Sequence, residues 1–138
     1  RYAAKNGAIV VAAAGNANRN ARDFAPVNTP GVIGVSAIDP ELNRAVFSNF
    51  VQDIPWAVAA PGVNIYSTIP GNQYASFNGT SMATPYVAGL LGLMKSIRPQ
   101  LSAKEAYILL NNTGKDTKNT RETGRLIQPA SVVRQLVK

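Results

Sequence analysis

Asn78-Gly79-Thr80-Ser81-Met82-Ala83-Thr84-Pro85-Tyr86-Val87-Ala88-Gly89 runs from a turn pair through a glycine and two hydroxyls into an apolar pattern. The apolar positions Val87, Leu90, Leu91, Met94 and Ile97 are spaced three or four apart, which predicts a helix over residues 81–97 with one buried stripe. Ser81 then falls in the first turn, where backbone N–H groups lack helical partners and the helix dipole is positive. Negative charge developing there is stabilised. Gly79, two residues before the serine, permits either a sharp turn or the close approach of another segment. Ala83, Ala88 and Gly89 predict a helix start pressed against other structure. A serine held this way is a candidate nucleophile, although Ser or Thr before an apolar helical run most often only caps the helix. The G-x-S-x-G elbow of α/β-hydrolases does not describe it, because position 83 is Ala.

Working outward, Pro99 stops the helix, and Ser102-Ala103-Lys104-Glu105 is a capping box that opens a second helix through about residue 111. Residues 112–124 read as a polar loop. Pro129 followed by Val132, Val133, Leu136 and Val137 predicts a final amphipathic helix. Upstream of the serine, Val63 to Thr68 alternates apolar and polar residues as a half-buried strand does, and Pro70-Gly71-Asn72 turns it back through Tyr74 to Phe77. Trp56 to Ala60 and Gly31 to Ala37 are two further strands, and 16–30 is a turn-rich surface loop. Phe24 in that loop is either a packing anchor or a specificity element. The apolar run Ala8 to Ala13, bounded by Gly7 and Gly15, suits a strand covered on both faces of a parallel sheet. Arg1 to Asn6 reads as the end of a helix; with no cap or initiating Met before it, the chain reads as a piece of a longer protein.

Of the 138 residues 46% are hydrophobic, enough for one domain with a sizeable core. No apolar run approaches a membrane span. Cysteine is absent, which excludes disulfides and thiolate metal sites. The net charge of +7 is dispersed, apart from a loose group at Lys115, Lys118, Arg121 and Arg125. No aromatic residues interleave with that group, so nucleic acid is not an expected partner. The most informative absence is histidine, of which there is none. A serine hydroxyl needs a neighbouring base to act as a nucleophile, and His is the usual one. Either the base lies on another segment or the serine is idle.

Gly79-Thr80-Ser81-Met82-Ala83-Thr84-Pro85 with Val87-Ala88-Gly89 resembles the active-serine signature of subtilisin-like proteases, the subtilases. Tyr86 stands where that family commonly has a His, but that His is not one of its catalytic triad. Val11-Ala12-Ala13-Ala14-Gly15-Asn16 resembles the family segment whose asparagine donates to the oxyanion. Asn suits the task because its amide donates hydrogen bonds without a titratable charge. Ala60-Pro61-Gly62 matches the family's Ala-Pro-Gly string, Arg44 to Phe50 resembles its short Ser-Asn segment, and Gly124 to Ile127 resembles its Gly-Leu-Ile stretch with Arg125 inserted.

The resemblance implies an α/β fold, three layers in α/β/α order around a mostly parallel sheet, of which residues 1–138 are the C-terminal part of the catalytic domain. It implies a serine endopeptidase in which Ser81 is the nucleophile, Asn16 the oxyanion donor, and Ala13, Gly15, Gly79 and Thr80 the substrate-binding residues. The expected partners are a polypeptide substrate and the N-terminal half of the same protease, which carries the catalytic Asp and His. A homo-oligomer or domain swap is a further expectation, since a half-sheet exposes strand edges. No cofactor is required for the chemistry; calcium is an expected structural ion at no particular position, because the seven acidic residues do not cluster. Export from the cell is expected from the resemblance alone. The alternative is a non-catalytic scaffold or binding module that keeps the fold without the base. Within the chain, Lys95 lies fourteen residues along the same helix, about 21 Å from Ser81 at 1.5 Å per residue. Tyr86 is nearer, but a phenol with a pKa of about 10 is a poor base at neutral pH.

Overall fold

The computed structural model describes all residues, 1–138. Four strands form one parallel sheet: β1 (Val11–Ala13), β2 (Ile33–Ile38), β3 (Ala57–Pro61) and β6 (Arg125–Leu126), in the order β1-β2-β3-β6. The registers pair Ala13 with Val35, Val35 with Val58, and Ala59 with Leu126. Between β3 and the long helix stands an antiparallel hairpin, β4 (Ile65–Ile69) and β5 (Gln73–Phe77). Helices α2 (Thr80–Ile97), α3 (Ala103–Thr113) and α5 (Pro129–Leu136) follow; α1 (Tyr2–Lys5) and α4 (Thr120–Thr123) are single turns.

Strand alternation divides the core in two. Ile33, Val35 and Ala37 of β2 with Val58 and Ala60 of β3 form one continuous core with Val87, Leu91 and Met94 of α2, Leu110 of α3 and Val132 of α5. The other face buries Ala12, Ala14 and Ala57 under Ala21, Val27, Val51 and Ile54, which come from loops rather than long helices. β2 is buried at every position, as a strand covered on both faces must be.

The helical stripe is observed as read from its spacing: Ala83, Val87, Leu90, Leu91 and Met94 are buried. The helix starts at Thr80, one residue earlier than expected. Ala88 and Gly89, expected to be pressed against other structure, are instead exposed, because at 100° per residue they point away from the stripe. The capping box is present, with Glu105 N–H donating to Ser102 Oγ at 3.2 Å and Ser102 N–H donating to Glu105 Oε2 at 2.9 Å.

Three elements differ from expectation. The first strand is only Val11–Ala13 and pairs on one side alone, so Val10 is exposed and Val11 and Ala13 are only partly buried. The alternating stretch forms its strand two residues late, at Ile65–Ile69, with Ile65 and Ile69 half-buried and the residues between exposed. The polar loop 112–124 contains the turn α4 and leads into a further strand, β6. Two residues are too few to show a period; their pairing is set by backbone bonds to Lys115 (Leu126 N–H to Lys115 O, 2.8 Å) and to β3 (Ile127 N–H to Ala59 O, 3.1 Å).

Two predictions follow from the packing. Met94 is fully buried, so Met94→Ala is expected to destabilise the fold by about 2–5 kcal/mol, and Leu93→Ala on the exposed face by much less, read from urea denaturation midpoints. Bonds from the Ser102 hydroxyl and N–H hold the Glu105 carboxyl below its ordinary 4.5. A carboxylate lowered on folding contributes stability above its unfolded pKa and loses it as pH falls through the folded one. Melting temperatures of wild type and Glu105→Gln should therefore differ at about pH 6 and converge as the medium is acidified below the ordinary carboxylate range.

Candidate active site

Parallel strands deliver their C-terminal ends to one edge of the sheet, and the site lies there. The chain leaves β1 through Ala14 and Gly15 to Asn16, while the hairpin returns through Asn78 and Gly79 into α2. Gly62, just beyond β3, seats this junction. Gly79 N–H donates to its carbonyl at 2.8 Å, and a Cβ on Gly62 would stand 2.4 Å from the Ala37 Cβ and 2.8 Å from the Gly79 oxygen. Only a glycine permits that approach.

Thr80 joins the two halves of the site. Its N–H donates to Asn16 Oδ1 at 2.9 Å and its hydroxyl donates to the same oxygen at 2.8 Å, while accepting from Gly15 N–H at 3.2 Å. A backbone N–H can only donate, so the Asn16 atom facing Thr80 is the oxygen and the amide nitrogen turns the other way. That nitrogen lies beside Gly79: a Cβ built there would be 3.6 Å from Asn16 Nδ2 and 3.7 Å from Ser81 N. The two nitrogens thus lie on the same side of Gly79, with Met82 Sδ nearest at 3.3 Å. Ser81 is exposed at the second position of α2, and its N–H has no backbone acceptor. Pro85 brings no N–H to the Ser81 carbonyl.

The expected site residues therefore converge, but not in equal roles. Ser81 and Asn16 are exposed, Ala13 and Gly15 partly buried, and Gly79 buried. Thr80, expected among the substrate-binding residues, is fully buried with its hydroxyl engaged on Gly15 and Asn16, so its side chain acts by holding its neighbours. Phe24 is half-buried against the second core with the Arg19 guanidinium 5.8 Å from its ring centre, in keeping with an anchor. A groove of about 450 Å³ opens beside Ser81, between β4 and the first turns of α2. Ile65, Ile69, Phe77, Met82, Pro85 and Tyr86 supply its apolar lining.

Lys95 is no base for Ser81: it lines a separate cleft between α1 and the α2–α3 connection, and its ammonium donates to the Pro99 and Leu101 carbonyls. Calcium is assigned no position in the chain. No three His, Cys, Asp or Glu side chains gather anywhere in the chain. Asp53 is bonded to Asn20 and Arg22, Asp116 pairs with Arg125, and Glu122 pairs with Arg44.

The sequence offered no role for Asn49 or Arg44. Asn49 is fully buried and bonded to the loop that carries Asn16, and Arg44 reaches Asn18, Ser48 and Glu122. The Ser48-Asn49 string was the one available signal, and it carried no information about contacts.

The parallel sheet thus sets a serine at a helix N-terminus, beside the Asn16 amide at a strand end. The family model described as the subtilase family matches residues 1–126. The chain belongs to the subtilase family. It is 43% identical over 122 residues to alkaline elastase YaB of Bacillus sp. (strain YaB), covering 88% of this chain and 32% of that protein. It is 44% identical over 111 residues to subtilisin DY of Bacillus licheniformis, covering 78% of this chain and 40% of that protein. Among solved structures, a protease from Pseudoalteromonas arctica PAMC 21717 superposes with a TM-score of 0.87 at 32% identity, over 97% of this chain and 44% of the other. The chain thus spans less than half the length of these relatives.

The Thr80 hydroxyl has a measurable consequence. Thr80→Val takes the acceptor from the part-buried Gly15 N–H and a donor from Asn16 Oδ1, and is expected to destabilise the fold by about 1–3 kcal/mol. Urea denaturation of the variant beside wild type checks this.

Proposed function

We propose that this chain is the C-terminal part of a serine endopeptidase domain, with Ser81 as nucleophile and Asn16 as oxyanion donor. The supporting observation is the pairing at Gly79: a free serine hydroxyl and N–H in the first turn of α2, beside an amide nitrogen whose oxygen is held by Thr80. Ser81 Oγ attacks the carbonyl carbon of a polypeptide, and its proton passes to a histidine on a segment outside these 138 residues, itself oriented by an aspartate there. The oxygen that becomes negative accepts from Asn16 Nδ2 and Ser81 N–H, aided by the positive end of α2. Collapse expels the amine, which takes the proton from the histidine. Water then attacks the Ser81 ester, giving a proton to the histidine, which passes it to Oγ as the acid leaves. Loss of one such donor is known in subtilisin itself, a member of this family, to cost about 100- to 1000-fold in kcat.

Ala13, Gly15 and Gly79 form the substrate-facing backbone in this reading. The N-terminal half of the same protease is the partner that completes the site, export from the cell belongs to the same proposal, and no cofactor enters the chemistry. The one observation that favours a non-catalytic scaffold instead is the absence of histidine from the chain.

Intact mass after treatment with a fluorophosphonate separates the readings. The protein carrying this chain together with its N-terminal half is expected to gain one phosphonyl adduct on Ser81, and Ser81→Ala to gain none. A wild-type protein that folds and takes no label is the scaffold.

A further inference from the structure

Asn16 can serve only if its loop is held, because a donor on a mobile loop must be reordered in each turnover. The segment 14–19 has little packing of its own: Asn16, Ala17, Asn18 and Arg19 are exposed. Thr80, Arg44 and the backbones of Phe47 and Phe50 each bond to it, and Asn49 makes the most bonds of any one residue. Asn49 Oδ1 accepts from Ala17 N–H and Arg19 N–H, both at 3.0 Å, its Nδ2 donates to the Ala14 carbonyl at 2.9 Å, and its own N–H donates to the Gly15 carbonyl at 2.8 Å. Four bonds from one residue thus bracket Asn16 on both sides.

Asn49 is itself rigidly placed. It is fully buried, as is Ser48, whose hydroxyl accepts from Ala37 N–H of β2 at 3.0 Å and donates to the Asn49 carbonyl at 3.0 Å. The Arg44 guanidinium donates to the Ser48 carbonyl and pairs with Glu122 at 3.0 Å. On the loop side, Gly15 stands with φ +103°, and a Cβ there would come 2.4 Å from Asn49 Nδ2, so loop and amide are in direct contact. The frame runs from β2 through Ser48 and Asn49 to the residues flanking Asn16.

We infer that Asn49 is a positioning residue for the Asn16 donor, acting on the transition state through Asn16 and not on substrate binding; this rests on the protease reading above. The amide is chemically specific. Aspartate keeps the two acceptor bonds but loses the bond to Ala14, setting carboxylate oxygen against carbonyl oxygen. Serine is too short to reach both sides of the loop.

The test is a double-mutant cycle in the protein that carries this chain with its N-terminal half, assayed on a chromogenic peptide. Asn49→Asp is expected to lower kcat by about tenfold or more with KM changed less than about twofold, the pattern of an interaction made in the transition state. Combined with Asn16→Ala, which already removes the donor, Asn49→Asp should lower kcat little further, since the two act as one unit. An equal loss in both backgrounds, or a loss confined to KM, overturns the inference. Asn49→Ser runs the same cycle if the aspartate variant does not fold, and an unchanged kcat in that variant also overturns it. A wild type without turnover or phosphonate labelling sinks the protease reading instead.

Discussion

The bond between the Asn16 amide oxygen and Thr80 is the constraint on which the site depends. It joins the end of the edge strand β1 to the start of α2 across 64 residues of chain. A single oxygen accepting two hydrogens fixes the rotation of the amide, and so decides which way its nitrogen points. The Thr80 hydroxyl also accepts from Gly15, so the strand end and the helix start cannot separate without leaving buried polar groups unsatisfied.

Around that bond the protein uses buried polar groups instead of a larger apolar core. Ser36, Ser48, Asn49, Thr80 and Thr123 are all fully buried, and each has hydrogen-bond partners. Ser36 Oγ donates to the Thr123 carbonyl at 2.6 Å, tying β2 to the residues just before β6. Such groups cost free energy unless satisfied, so each tolerates few alternative arrangements. The apolar residues drive the layers together, and the polar ones select the relative placement of the loops.

The chemistry at Ser81 follows from the same geometry. The helix places the Ser81 hydroxyl in solvent while Thr80, Ala83 and Val87 beside it are buried, so the proposed nucleophile stands on an anchored turn. Arg44 extends the anchoring outward, reaching Asn18 at 2.9 Å and Glu122 at 3.0 Å with its guanidinium 5.7 Å from the Phe50 ring centre. Its cation ties three loops and has no part in the reacting centre.

Periodicity and punctuation were legible wherever a segment was long. The stripe of α2, the capping box at Ser102 and Glu105, the proline stop at Pro99 and the buried run of β2 all state their structure locally, through side-chain spacing and backbone chemistry. Ser81 and Asn16 were legible for another reason: their strings resemble a family's. β6 was not legible, because two residues carry no period and their pairing comes from partners elsewhere. By itself, then, the sequence determined the long elements, the family and the two candidate reacting groups. Only the tertiary structure decided that Thr80 holds rather than contacts, that Asn49 brackets Asn16, and that Gly62 admits the Gly79 carbonyl. Those are contacts between residues far apart in the chain, and local spacing carries no record of which distant groups will meet.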